Sequence, residues 1–285
     1  MFLDEIRKNT DDGKLTGAIF VDLSKAFDTL SHSQIIENLP SYGIRGKEKE
    51  LFTNYLFNRK QAVRFGSDLS ASCNVTCGVP QGSILGPLLF LLTFNDIESV
   101  LTHSQIITYA DDTVLYVPGK SIERIEEYLC EDFKAVVSWL ESMDLVCNMK
   151  KGKTEAMLFG TSQKIKHHNL KILHRYNELP TTSTYKYLGV KLDQTLSIRE
   201  HIDSSYKKAS GRLNLLNRVR PHLTLEGAIQ LYQSMIVPVF TYCSILTSIY
   251  TRTFEDKVKS FEKRAARTIY NSEVVNWKKI SIRRL

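Results

Sequence analysis

Two adjacent carboxylates, Asp111 and Asp112, lie between two apolar stretches, 106–108 and 113–117. These stretches are rich in Ile, Val, Thr and Tyr, which favour strands, so the pattern predicts a β-hairpin with both carboxylates at its tip. Burying two like charges side by side is costly without a counter-charge, and residues 104–119 contain no Lys or Arg. A divalent cation is the natural counter-charge, and a solvated turn is the alternative, because Asp is a common turn residue.

A third carboxylate, Asp22, lies at the end of a stretch that is apolar on both faces, as in a strand of a covered sheet. This pattern predicts a strand over 15–23. Mg²⁺ binds a few carboxylates and completes its shell with water and substrate phosphates. Phosphoryl transfer commonly uses two such ions, about 3.5–4 Å apart. If the strand ending at Asp22 and the hairpin of Asp111 and Asp112 are neighbours, the three carboxylates suit this chemistry.

The elements that must position these side chains alternate between strands and helices in the front of the chain. A glycine-bracketed loop at 78–83 leads into an apolar helix predicted over 84–100. Ser121 is predicted to cap a long amphipathic helix. Further predicted elements are a helix over 1–12, a hairpin formed by 61–65 and 72–76, strands over 145–148, 154–159 and 185–192, and helices over 198–219, 224–248 (kinked at Pro238) and 252–271.

The charge distribution divides the chain in two. The net charge is +7, with 16 Lys and Arg against 7 Asp and Glu in residues 196–285 and 22 against 24 in residues 1–195. We therefore expect a mixed α+β domain over 1–195 and a basic helical domain over 196–285. A basic rear indicates an anionic partner, and a solvated basic face is the alternative.

The five cysteines contain no Cys-x-x-Cys pattern, which favours reduced, packed thiols over a zinc site or disulfides. The acidic start of the chain does not resemble a signal peptide, and the longest apolar run is too short to span a bilayer. We expect a protein of the nucleus or cytoplasm that is neither secreted nor held in a membrane.

Three stretches, in the same order and with the same spacing, resemble the A, B and C motifs of reverse transcriptases, most closely those of non-LTR (LINE-type) retrotransposons. They are FVDLSKAFD at 20–28, GVPQGSILGP at 78–87 and YADD at 109–112. Lys153-Thr154-Glu155 resembles motif D, and YLGV at 187–190 resembles motif E. Three ordered motifs are far more specific than any one of them.

The resemblance implies a right-hand polymerase palm, a mixed or antiparallel sheet with packed helices, followed by a helical thumb. It implies RNA-directed DNA polymerisation, in which a primer 3′-hydroxyl attacks the α-phosphate of a dNTP. Two Mg²⁺ ions, with Mn²⁺ as a possible substitute, an RNA template and a DNA primer are the implied cofactors and partners. Because the chain begins about twenty residues before Asp22, we expect the fingers to be largely missing.

The resemblance also assigns catalytic roles to individual residues. Asp22 and Asp111 correspond to the metal ligands, with the backbone carbonyl of Leu23 assisting, and Asp112 is the third acid of the metal site, near the primer end. Lys153 corresponds to a general acid for the leaving pyrophosphate. Lys150 and Lys151 are rivals for that role, and a solvated basic turn is the alternative.

Substrate contacts are implied at further positions. Phe27 would exclude a 2′-hydroxyl by collision, and Gln81 and Gly82 would contact the incoming nucleotide; the alternatives are a core aromatic and a loop shaped only for packing. Residues of the motif E turn would grip the primer, and basic residues of the first rear helix would contact nucleic-acid phosphates. An ordinary strand bulge explains the turn's glycine equally well. These residues are Tyr187, Leu188 and Gly189 in the turn, and Lys207, Lys208 and Arg212 in the helix.

A hypothesis from another class competes with the polymerase. With the metal ligands intact but the fingers missing, the chain would be a catalytically silent, nucleic-acid-binding remnant of such an enzyme. Templated extension of a primer discriminates between the two.

Overall fold

The computed structural model describes residues 2–166, 168–243 and 252–271. The chain forms two compact units. The first comprises Met1–Tyr185 and Gln194–Leu196, and the second comprises Lys186–Asp193 and Ser197–Leu285. The whole motif E segment, 187–190, which the predicted boundary near residue 195 assigns to the first domain, therefore belongs to the second unit.

Helices and strands alternate throughout the first unit. In chain order they are α1 (Phe2–Asp11), β1 (Leu15–Val21), α2 (Ala26–Thr29), α3 (His32–Asn38), α4 (Gly46–Leu56), β2 (Lys60–Gln61), β3 (Arg64–Phe65), β4 (Asp68–Leu69), β5 (Cys73–Asn74), α5 (Leu85–Phe94), β6 (Gln105–Tyr109), β7 (Asp112–Gly119), α6 (Ile122–Ser142), β8 (Glu155–Phe159), α7 (Ser162–Ile165), β9 (Leu173–His174) and β10 (Asn177–Glu178). Short 3₁₀ turns follow α3 and α5.

The centre of the first unit is a four-stranded sheet with the order β6-β7-β1-β8, in which all neighbours are antiparallel. Every residue of β1 is buried, because this strand is paired on both edges and covered on both faces. This explains its continuous apolar sequence. Helices packed on an antiparallel sheet confirm the predicted α+β class.

Helix α6 binds the segment that precedes the hairpin strand β6. Its predicted cap is confirmed, since the Ser121 hydroxyl accepts from the backbone N–H of Arg124. One turn of its buried face carries a carboxylate, Asp132, whose oxygens accept the N–H groups of Thr102 and His103 at 2.9 Å. These bonds fix the segment that leads into β6.

We expect Asp132→Asn to lower the free energy of unfolding by about 2–4 kcal/mol, because an amide nitrogen then faces backbone N–H donors that have lost a charged acceptor. Burial by itself raises the pKa of Asp132, but the N–H bonds outweigh it and hold the pKa below its usual range. The stabilisation is therefore complete above the unfolded-state pKa and is lost as the pH falls through the lowered folded-state pKa. Urea unfolding of parent and variant between pH 3 and pH 7 checks this, and a difference independent of pH would contradict it.

The second unit is helical apart from part of one hairpin. Its elements are β11 (Thr184–Tyr187), which begins in the first unit, β12 (Val190–Asp193), α8 (Arg199–Val219), α9 (Leu225–Leu231), α10 (Val237–Thr241) and α11 (Arg252–Tyr270). Tyr232 and Phe261 are fully buried where these helices pack together. Within the described ranges, none of the helices of either unit has the length and apolar character of a membrane span.

Several predicted elements differ from the structure. The helix predicted over 224–248 is α9, a π-helical turn at Tyr232–Ile236, and α10, which ends at Thr241; residues 244–248 lie outside the described residues. Pro238 has no N–H to donate, and the chain leaves the helix at Tyr242, whose ψ is 122°. The strand predicted over 145–148 is only an isolated bridge between Leu23 and Cys147.

Candidate active site

Three carboxylates meet at one end of the central sheet. Strand β1 pairs with β7 so that Val21 lies opposite Thr113, which brings Asp22 to the end of β7 that starts with Asp112. Strands β6 and β7 form the predicted hairpin, with Tyr109 opposite Asp112. Ala110 and Asp111 form its turn, and both carboxylates are exposed. The strands are therefore neighbours, as a shared site requires.

The charges of these side chains act on one another. Partial burial raises the pKa of Asp112 above its usual range, and the negative charges of Asp111 and Asp22 raise it further. The three carboxylates are thus close enough for mutual repulsion, which a bound cation would relieve.

Among the described residues, no group of three His, Cys, Asp or Glu side chains is close enough to hold a metal ion by itself. A site for Mg²⁺ remains compatible with Asp22 and Asp111, because Mg²⁺ takes one or two carboxylates and fills its shell with water and phosphate oxygens. Leu23, whose carbonyl the resemblance adds to this site, is buried beside them.

The segment after α6 surrounds Asp22 with polar contacts. The side-chain amide of Asn148 donates to Asp22 Oδ2 over 3.1 Å, and the ammonium of Lys153 lies 3.4 Å from Oδ1. The backbone N–H of Asp22 donates to the hydroxyl of Thr154, which is fully buried. Lys153, whose general-acid role stays a prediction, is therefore paired with a candidate metal ligand.

The glycine-bracketed loop is fastened to the segment that follows Asp22. Gly78 N–H donates to the Leu30 carbonyl, and Val79 N–H donates to the Phe27 carbonyl, both over 2.8 Å. The exposed side chain of Gln81 donates to Asp28 Oδ1 over 2.8 Å. These bonds place the loop of motif B beside motif A, within the same unit as the carboxylates.

Of the predicted substrate contacts, Gln81 and Gly82 are exposed at the surface of this loop. Phe27 is half-buried and stacks on Phe90 of α5, with ring centroids 4.6 Å apart. Its ring thus packs against the core and still keeps part of its surface in solvent. This position is compatible both with exclusion of a 2′-hydroxyl and with a core aromatic that serves only packing. The contacts themselves stay predictions.

In the second unit, the motif E segment is a hairpin turn rather than a bulged strand. Leu188 and Gly189 join β11 to β12 with φ values of +45° and +81°. The hydroxyl of Tyr242 donates to the Leu188 carbonyl and fixes the turn. Tyr187 is half-buried immediately before it.

An open cleft of about 530 Å³ lies between this hairpin, α8 and α10. Its basic lining comprises Lys186, Lys191, His201, Lys208 and Arg212. Burial holds the pKa of His201 below its usual range, and the charge of Lys191 lowers it further.

The predicted phosphate-binding residues of α8 differ in their contacts. Lys207 and Lys208 are exposed. Arg212 is half-buried and donates to the carbonyl of Met235. Two other basic residues also bind within the unit: Arg220 donates to the Ile269 carbonyl, and Arg264 to the Ser210 hydroxyl. Part of the positive charge of this unit therefore stabilises its helix packing.

Sequence reasoning missed Asn148 and named Thr154 only as part of motif D, without its contact with Asp22. Both contact Asp22 although they are more than 120 positions away in the chain. The only signal was their closeness to Lys153 in the motif D segment, and no periodicity or charge pattern distinguishes them.

Residues 2–192 match the family described as "Reverse transcriptase (RNA-dependent DNA polymerase)". A probable RNA-directed DNA polymerase from transposon BS of Drosophila melanogaster is 25% identical over 91% of this chain and 29% of its own length. An RNA-directed DNA polymerase from mobile element jockey of Drosophila funebris is 26% identical over 89% of this chain and 28% of its own length. The chain thus spans under a third of the length of these relatives.

Among solved structures, telomerase from Candida albicans in complex with a fragment of telomeric RNA aligns with 98% of this chain and 48% of its own, at 11% identity and a TM-score of 0.47.

Proposed function

The chain belongs to the reverse transcriptase family, and on that premise we propose that it carries out RNA-directed DNA synthesis, adding dNTPs to the 3′-hydroxyl of a primer paired with an RNA template. The observation that supports this most directly is the meeting of Asp22, Asp111 and Asp112 at one end of an antiparallel sheet within a single compact unit. Nucleotidyl transfer requires such a group of carboxylates, because they bind the divalent ions that neutralise the negative charge of the phosphates.

Asp22 and Asp111 are the proposed ligands of two Mg²⁺ ions, with the Leu23 carbonyl nearby and Asp112 facing the primer end. When bound, such ions neutralise phosphate charge and lower the pKa of the attacking hydroxyl. The protein's own part is to hold the carboxylates and to place Lys153, whose ammonium lies 3.4 Å from Asp22, where it can give a proton to the leaving pyrophosphate.

The proposed nucleotide position lies between the carboxylates and the loop of motif B. The bond from Gln81 to Asp28 and the two backbone bonds of Gly78 and Val79 hold that loop beside motif A. Phe27, fixed by its stack on Phe90, provides a rigid surface against which a 2′-hydroxyl would collide. Gly82, exposed and without a side chain, leaves the backbone open to close approach.

The first unit corresponds in this proposal to the palm, and the second to the thumb. The basic cleft of the second unit suits the sugar-phosphate backbone of an RNA–DNA hybrid, because its lining carries Lys186, Lys191 and Lys208 beside the hydroxyls of Ser204 and Ser205. The turn at Leu188 and Gly189 borders the same cleft and is the proposed contact with the primer.

Primer extension tests the proposal. The purified chain is given an RNA template with an annealed DNA primer, Mg²⁺ and either dNTPs or rNTPs, and hybrid binding is measured across a salt series in parallel. We expect template-dependent lengthening with dNTPs, little with rNTPs, and none in EDTA.

Hybrid binding that weakens with salt, but without any lengthening of the primer, would contradict the polymerase and support the catalytically silent remnant.

A further inference from the structure

The two oxygen atoms of the Asp22 carboxylate have different partners. Oδ2 accepts the neutral amide of Asn148 over 3.1 Å, and Oδ1 faces the ammonium of Lys153 over 3.4 Å. The Lys153 side chain is 51% exposed and has a long flexible stem, so this contact is easily broken. Oδ1 is therefore the oxygen whose partner can be exchanged.

Asn148 is itself firmly held. Its backbone N–H donates to the Asp22 carbonyl over 2.8 Å, and its own carbonyl accepts the N–H of Thr154 over 3.1 Å. Thr154 is fully buried, and its hydroxyl accepts the N–H of Asp22 over 3.1 Å. Asn148 and Thr154 thus fix the backbone of Asp22, and Asn148 fixes one carboxylate oxygen as well.

A carboxylate bound through one oxygen cannot rotate freely about its side-chain torsions. It presents the other oxygen in a constant direction, and the pairing of β1 with β7 places Asp22 at the end of the sheet where Asp112 begins β7. Outer partners of this kind raise the affinity of a metal site because they orient the ligand before the metal arrives.

We propose that Asn148 is a positioning residue that directs Oδ1 of Asp22 towards the divalent cation, and that Lys153 occupies Oδ1 as an exchangeable cation until the metal displaces it. The inference rests on the proposed function, which supplies the metal. It assigns Asn148 a role beside Asp22 and gives Lys153 a task before the reaction begins.

The test is the binding of Mn²⁺ to the full chain without nucleic acid or nucleotide, followed by electron paramagnetic resonance. We expect Asn148→Ala to weaken binding about tenfold or more, as loss of an outer partner does. We expect Lys153→Met to tighten it by about two- to fivefold, the effect of removing an exposed ion pair. A general loosening of the fold would weaken binding in both variants, so the opposite signs are specific to this arrangement.

Matched controls are Asn54→Ala and Lys47→Met, both exposed on α4, which should bind Mn²⁺ as the parent does. Asp22→Asn gives the Mn²⁺ binding that remains without the proposed metal site, and thermal melting shows whether each variant is folded. Should Asn148→Ala fail to fold, Asn148→Ser also removes the amide and keeps a polar side chain.

Either of two results in the variants would overturn the inference: parent-like affinity in the folded Asn148 variant, or unchanged or weaker binding in Lys153→Met. A parent that binds Mn²⁺ no better than Asp22→Asn would overturn it too. Primer extension separates this inference from the proposed function. If the parent extends primers but the Asn148 and Lys153 variants bind Mn²⁺ with parent affinity, only the inference is wrong. If the two variants shift Mn²⁺ affinity in opposite directions but the parent does not extend primers, only the proposed polymerase activity is wrong.

Discussion

Asp111→Ala is expected to reduce templated nucleotide addition by about a thousandfold or more while the protein stays folded. A divalent ion held by this carboxylate supplies several kcal/mol of charge stabilisation to the transition state, and a thousandfold loss corresponds to about 4 kcal/mol. Asp111 is exposed in the turn between β6 and β7, so no core contact is lost. Its charge also helps to raise the pKa of Asp112, so the variant relieves repulsion in the folded state.

Single-turnover primer extension and thermal melting of the same samples check this expectation. Asp11→Ala, which removes an exposed carboxylate at the end of α1, is the matched control and should extend primers at the parent rate. Extension by Asp111→Ala at a rate near that of the parent would remove Asp111 from the metal site.

Gly78→Ala is expected to lower the free energy of unfolding by about 2–4 kcal/mol, the sum of a left-handed backbone penalty and an overpacking penalty. Gly78 has a φ of +81°, and a Cβ there would lie 2.6 Å from the backbone carbonyl oxygen of Asp28. The displaced loop would also lose the bond from Gly78 to Leu30 and shift Gln81, so dNTP affinity should fall as well.

Gly82→Ala separates the two penalties. Gly82 has nearly the same φ, +82°, but a Cβ there would meet no atom within 4 Å. We expect it to cost only the backbone penalty of about 1 kcal/mol. Urea unfolding of the two variants measures the difference, and equal losses would show that the contact with Asp28 can relax without cost.

The sequence predicted the parts of the site that depend on local pattern. The apolar run of β1, the β-prone stretches on both sides of Asp111 and Asp112 and the cap at Ser121 each follow from short-range chemistry, and the structure contains all three. Neighbouring strands bring the carboxylates together because an antiparallel sheet aligns the end of one strand with the start of the next.

What the sequence could not predict depends on contacts between distant segments. Asn148 and Thr154 bind Asp22 through single hydrogen bonds, which leave no periodic signal. The charge count treats the basic residues of 196–285 as one surface. Side-chain packing shows instead that Arg220 and Arg264 form hydrogen bonds within the second unit. The break before Pro238 likewise depends on how the helices pack, since the proline alone is compatible with a kink.

The place of each carboxylate in the sheet also sets how far it can move independently. Asp22 follows β1, which is hydrogen-bonded on both sides, whereas Asp111 lies at the tip of a hairpin whose strand β6 forms the edge of the sheet. Local opening starts at edges, so we expect β6 to open before β1, which is paired on both sides. The proposed ligand pair therefore combines a fixed carboxylate with an adjustable one, and Asp111 would be the side chain that adapts to the spacing of bound cations.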